Sequence, residues 1–111
     1  MKGIINIKPL SVNQAWKGRR FKTDKYKTFE RECMLLLKAS NLPKPPFELF
    51  MTFGMANKMS DVDNPVKTFV DVLQKKYDFN DKDIIKMTIE KVKVKKGEEF
   101  INYELKTLRL K

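Results

Sequence analysis

The chain has no histidine, one cysteine and four glycines. Without an imidazole there is no histidine general base, no Ser-His triad and no histidine-held metal. A lone thiol, Cys33, forms no intrachain disulfide and builds no cysteine-rich zinc site. No Gly-x-x-x-x-Gly-Lys stretch occurs, which removes that phosphate-cradling loop. Acid is also scarce, with 14 Asp and Glu against 24 Lys and Arg and a formal net charge of +10. Catalysis in such a chain must run on carboxylates, lysines and a hard metal ion. The apolar patch near the start (Ile4, Ile5, Ile7) is broken by Asn6 and Lys8. It reads as neither a signal peptide nor a membrane span, so the expectation is a cytoplasmic protein with no membrane partner.

What is present suits one folded domain spanning residues 1–111, because 41% of the residues are hydrophobic and the length supports one modest core. The charge favours a polyanionic partner, nucleic acid ahead of an anionic membrane, with a merely soluble basic protein as the bland alternative. Residues 1–9 read as a strand that Pro9 ends. A loop follows in which Lys17, Arg19, Arg20, Lys22, Lys25 and Lys27 are opposed only by Asp24. Trp16, Phe21 and Tyr26 are interleaved with those cations, a mixture that can contact phosphates and stack on bases, or can instead plug the edge of a core. Candidate DNA contacts here are Trp16, Lys17, Arg19, Arg20 and Lys22.

Helical spacing of Tyr26, Phe29, Cys33, Leu36 and Leu37 predicts an amphipathic helix over 25–39, with Cys33 as a core thiol. Residues 41–46, with three prolines, form a stiff connector. Alternation from Phe47 to Met55 predicts a second strand. Pro65 suits the first position of a second helix capped by Asn64 and running to about Tyr77, with Val66, Phe69, Val70 and Leu73 buried. After a turn at 78–81, a strand is expected over 84–95, with a bulge at Glu90-Lys91 where its apolar phase shifts. Lys96-Gly97 then reads as a hairpin turn into a last strand over 100–110. The resulting expectation is an α+β fold, a two-layer βαβαββ arrangement with two helices packed on one mixed β-sheet.

The feature that stands out is acidic: Asp61-Val62-Asp63-Asn64-Pro65-Val66-Lys67, continued by Asp71 and answered by Asn80-Asp81. Two aspartates at i and i+2 in an extended segment point the same way and repel unless a cation holds them. Asp81 can join them, because the helix that starts at this site returns through a turn. An all-oxygen cluster suits Mg²⁺, or Mn²⁺ as a substitute, with phosphate oxygens as further ligands. An EF-hand is excluded, since Val66 and Val72 stand where its glycine and glutamate belong. Metal and phosphate together suggest phosphodiester hydrolysis, with Lys67 placing positive charge near the phosphate. Against this, Asp63 or Asn64 can be a helix cap, Asp81 a turn residue, and Asp71 the i,i+4 partner of Lys67, which is favoured over its ligating a metal.

Asp61-x-Asp63-Asn64-x-x-Lys67-x-x-x-Asp71-x-Leu73, then Asn80-Asp81-x-x-Ile84, resembles the RusA family of Holliday junction resolvases. Ser11-Val12-Asn13-x-x-Trp16 is similar to that family's N-terminal Pro-Ser-x-Asn segment. The resemblance implies a homodimeric, Mg²⁺-dependent endodeoxyribonuclease of recombination and repair, often phage- or prophage-encoded, that nicks four-way junctions symmetrically. It implies Asp61, Asp63 and Asp81 as metal-binding carboxylates, Lys67 as the essential cation, and Asn13 and Asn64 beside the DNA. Two positions depart from the pattern. Ser60 stands where members often carry a basic residue, leaving Lys58 as the nearby cation, and Asn80-Asp81 replaces the commoner Asp-Asp. Rival expectations are a non-catalytic basic protein that holds branched DNA, and a metal nuclease for other branched forms such as flaps.

Overall fold

In the computed structural model, which describes residues 1–18, 21–56 and 63–109, the chain begins with β1 (Lys2–Ile5). A small hairpin follows, β2 (Trp16–Lys17) and β3 (Phe21–Lys22), and then α1 (Asp24–Leu36). The remaining elements are β4 (Phe47–Met55), α2 (Val66–Tyr77), β5 (Ile84–Lys93) and β6 (Phe100–Thr107). Apart from the hairpin, this is the βαβαββ order, two helices on one mixed four-stranded sheet, and the fold is α+β. No helix among the described residues is long and apolar enough to cross a membrane.

The sheet order is β1-β6-β4-β5, with β5 parallel to β4 and the other pairs antiparallel. Along β4, Phe47, Leu49, Met51, Phe53 and Met55 are all buried. Alternate residues of a strand share a face, so these five point one way. Ile101, Tyr103 and Leu105 of β6 and Ile5 of β1 join them through the register. The helices cover that face with Tyr26, Phe29 and Cys33 from α1 and with Phe69, Val70, Val72 and Leu73 from α2. Phe69 sits edge-on to Phe53 (6.3 Å) and tilted against Tyr103 (5.7 Å), the offset geometry that ring quadrupoles favour. Cys33 is fully buried, and burial, followed by the nearby Glu32 and Glu30 charges, pushes its thiol up to about 12. It is a core residue, protonated at neutral pH.

Five local expectations shift. β5 and β6 are not a hairpin, although a turn with Gly97 at φ 94° joins them, because β4 lies between. The apolar β6 takes the inner place, and β5, with Lys86, Glu90, Lys91 and Lys93, takes the edge where charge discourages further pairing. The irregularity lies not at Glu90-Lys91 but at the strand's start, where Phe47 faces Ile84 and Glu48 faces Lys86, so Ile85 is skipped. Leu36 is exposed, and Leu37, just past α1, takes the buried place. Pro65, not Asn64, is the residue capping α2, without a side-chain cap bond. Finally, residues 16–22, read as a loop, include the paired strands β2 and β3.

The uncovered face of the sheet carries one tight contact. A Cβ built on Gly54 would come within 2.4 Å of the Phe100 ring on the neighbouring strand. Gly54→Ala must therefore displace that ring, and overpacking of this kind costs about 1–3 kcal/mol. Urea unfolding should show a lower midpoint at unchanged slope. An unchanged midpoint would mean the ring moves aside freely.

Candidate functional site

Three of the residues singled out in the sequence border one hollow. Asp63, Lys67 and Asp81 line this hollow of about 280 Å³, with Val66, Val70, Ile84 and Met87 completing its wall. Asp63 opens the turn before α2, and its carbonyl accepts the Val66 N–H at 3.1 Å. Lys67 lies in the first turn of α2. Asp81 begins a single 3-10 turn, Asp81–Asp83, at the entry to β5. Asn80 caps that turn, its side-chain oxygen accepting from the Lys82 N–H at 3.0 Å, so Asn80 has a structural duty and Asp81 faces the hollow. Asp61 and Lys58 lie outside the described residues, as do Arg19 and Arg20. Among the described residues no group of three or more Asp, Glu, Cys or His side chains is placed to hold a metal ion. Asp63 and Asp81 are two oxygen donors of the kind Mg²⁺ takes, which fits the donor chemistry as far as the described chain goes.

Lys67 is not loose. Its Nζ donates to Asp71 Oδ1 at 3.0 Å, the i,i+4 pair expected on one helix face. Asp71 Oδ2 in turn accepts from the Tyr26 hydroxyl at 3.3 Å, across from α1. Tyr26 is 1% exposed, and burial first, then the Asp71 and Glu30 charges, pushes its phenol well above its ordinary value. The hydroxyl therefore stays protonated and donating. Sequence pattern counted Tyr26 as an apolar member of the α1 stripe, and nothing local reveals a hydroxyl partner so distant in the chain.

The N-terminal segment is pinned beside the same helix start. The Val12 N–H donates to the Asn64 carbonyl at 2.9 Å. The buried Thr68 hydroxyl donates to the Leu10 carbonyl at 2.7 Å. Asn13 is thus carried close to Asn64 on an exposed 3-10 turn capped by Ser11. Trp16 meets Tyr26 edge-on at 5.5 Å, and Lys22 Nζ lies 5.1 Å from the centre of the Tyr26 ring. Lys22 also pairs with Glu30 at 3.0 Å, so this candidate DNA contact is engaged within the protein, whereas Lys17 is exposed.

Comparison with known proteins adds no second line of support, since no family model and no curated protein matches the chain. The functional reading rests on the residues and their placement.

Glu30 is a further organising residue that sequence pattern missed, because its partners come from other elements. Lys22 of β3 and Lys75 of α2 both donate to it, at 3.0 and 2.8 Å. Burial alone would raise its pKa, but the hydrogen bonds from Lys75 and Lys22, with their charges, outweigh burial and hold the carboxyl below its ordinary value. A depressed carboxyl stabilises the fold above its unfolded pKa, and that stability disappears as pH falls through the folded value. Glu30→Gln should lower stability at neutral pH by no more than about 1 kcal/mol, given exposed lysine partners. The difference should shrink as pH falls through the folded carboxyl's lowered value in paired urea titrations, and a difference independent of pH would refute the ion-pair account.

Proposed function

We propose that this chain is a Mg²⁺-dependent endodeoxyribonuclease acting on branched DNA, with the four-way junction as its substrate. The observation that carries the reading is the convergence of Asp63, Asp81 and Lys67 on one hollow of a strongly basic chain. The motif's resemblance to the RusA resolvases supports it further. The protein would act in the cytoplasm, in recombination and repair, as a homodimer whose two-fold symmetry matches two symmetric nicks.

In this reading Asp63 and Asp81, with Asp61 of the same sequence motif, would hold the metal. Such an ion, when bound, would supply Lewis acidity and lower the pKa of an attacking water. Lys67 places its ammonium where negative charge accumulates on the scissile phosphate. Asp71 holds Lys67 in position, and the Tyr26 hydroxyl holds Asp71. Exposed cations, Lys17 among them, draw the DNA in by releasing its counterions. The Val12–Asn64 hydrogen bond brings Asn13 toward Asn64, and on this reading both would meet the backbone of a bound strand.

The test is cleavage of an end-labelled synthetic junction in Mg²⁺, beside a linear duplex. Asp63→Asn should abolish cutting and retain junction binding, because the charged surface remains. Lys67→Ala should slow cutting by on the order of a hundredfold or more, the cost of losing one preorganised charge contact, with affinity little changed. Paired symmetric nicks confined to the junction, lost in Asp63→Asn, support the reading. Tight junction binding with no product in Mg²⁺ or Mn²⁺ would leave a DNA-holding module, and cleavage of flaps alone would redirect the substrate.

A further inference from the structure

The small hairpin separates its aromatic residues by face. Trp16 pairs with Lys22 and Lys17 with Phe21, so Trp16 and Lys22 share one face and Lys17 and Phe21 the other. The first face is turned to the protein, with both side chains against Tyr26. The second faces solvent, where Phe21 is 71% exposed beside an exposed Lys17. A two-stranded hairpin can bury only one of its faces, and a phenylalanine is a poor choice for the other.

Isolated exposed apolar residues are common and by themselves signify nothing. Three circumstances set Phe21 apart. It shares its face with a lysine, in a sequence stretch where Arg19 and Arg20 precede it. The hairpin is anchored at its base, since the Thr23 N–H donates to the Ala15 carbonyl at 2.9 Å and the Thr23 hydroxyl to the Gln14 carbonyl at 2.6 Å. And its inner face connects through Trp16, Tyr26 and Asp71 to Lys67 at the edge of the hollow. An exposed aromatic ring beside a lysine, on a hairpin anchored at its base, can stack on a nucleobase while the neighbouring charge meets a phosphate.

We infer that Phe21 is a stacking platform for an unpaired base of DNA, with Lys17 on the adjoining phosphate and Trp16 serving to orient the hairpin. This rests on the nucleic-acid half of the proposed function and not on catalysis. A second copy of the chain is the rival occupant of the ring. The excess of cations in the surrounding sequence, Lys17, Arg19, Arg20 and Lys22, argues for a polyanion instead.

The experiment uses the full chain in EDTA with two probes, a duplex carrying 2-aminopurine in a central bulge and the same duplex fully paired. Phe21→Ala should weaken binding to the bulged probe by about tenfold, the effect of losing one stacked base, and leave the paired duplex within about twofold. Protein-dependent quenching of the 2-aminopurine should be lost in Phe21→Ala and restored in Phe21→Tyr. Lys17→Ala should weaken both probes alike and reduce the salt slope by about one. Equal losses on both probes in Phe21→Ala, no loss on either, or a change in sedimentation without DNA would overturn the inference. Junction cleavage that persists with no Phe21-dependent quenching would sink the stacking role alone. Phe21-dependent quenching in a chain that cuts nothing would sustain the role and remove the nuclease.

Discussion

β4 is hydrogen-bonded along both of its edges, and the rest of the molecule depends on that. A nine-residue strand, Phe47 to Met55, with seven of its residues buried, has backbone groups that water cannot reach, so both edges must be paired. The parallel partner, β5, requires a crossover, and α2 supplies it. The antiparallel partner, β6, arrives only after the chain has passed to the far side of β4, and β1 then pairs with β6. The crossover has a chemical consequence. It places the turn that enters α2 and the turn that enters β5 against one hollow, and these are the turns that carry Asp63 and Asp81.

Apolar packing brings the layers together, but a few polar contacts select how the N-terminal part lies on α2. Hydrophobic contact is nondirectional, whereas a buried hydroxyl without a partner costs about 1–3 kcal/mol. Thr68 to Leu10 and Val12 to Asn64 therefore specify the register of residues 10–14 against the helix start. Tyr26 to Asp71 does the same for α1 against α2. Each lies within a side chain or two of Lys67, so the contacts that order the fold also order the candidate site.

The legible part of this structure was whatever repeats locally. The α1 stripe, the β4 alternation and the buried face of α2 each have enough residues for a period to show, and the element order followed from them. Strand pairing did not follow, because Lys96-Gly97 has the chemistry of a turn whether or not the strands beside it are neighbours. The phase change at Glu90 was real in the sequence and misread as a backbone defect. The alternation simply continues into Lys91 and Lys93, at an edge that tolerates lysine on either face. At the site, Asp63 and Lys67 were legible as one motif at the start of α2, and Asp81 because the turn that follows the helix can fold back toward that start. The orientation of Trp16 and Phe21 was not, since a two-residue strand has no period to read.

Electrostatics links the acidic hollow to its basic surroundings. Charges on an exposed surface act over about 10 Å at ordinary salt, so the scattered lysines set the attraction a polyanion feels on approach. Closer in, the nearest charges dominate, and on the proposed reading a phosphate at the hollow would meet the carboxylates of Asp63 and Asp81. Lys67 offsets only part of that repulsion, because Asp71 already shares its charge. On the proposed reading a divalent ion therefore has two tasks, binding the carboxylates and making the hollow acceptable to a phosphate. The pairing of Lys67 with Asp71 then becomes useful. With its ammonium held by Asp71, Lys67 would leave the oxygens of Asp63 and Asp81 open to such an ion.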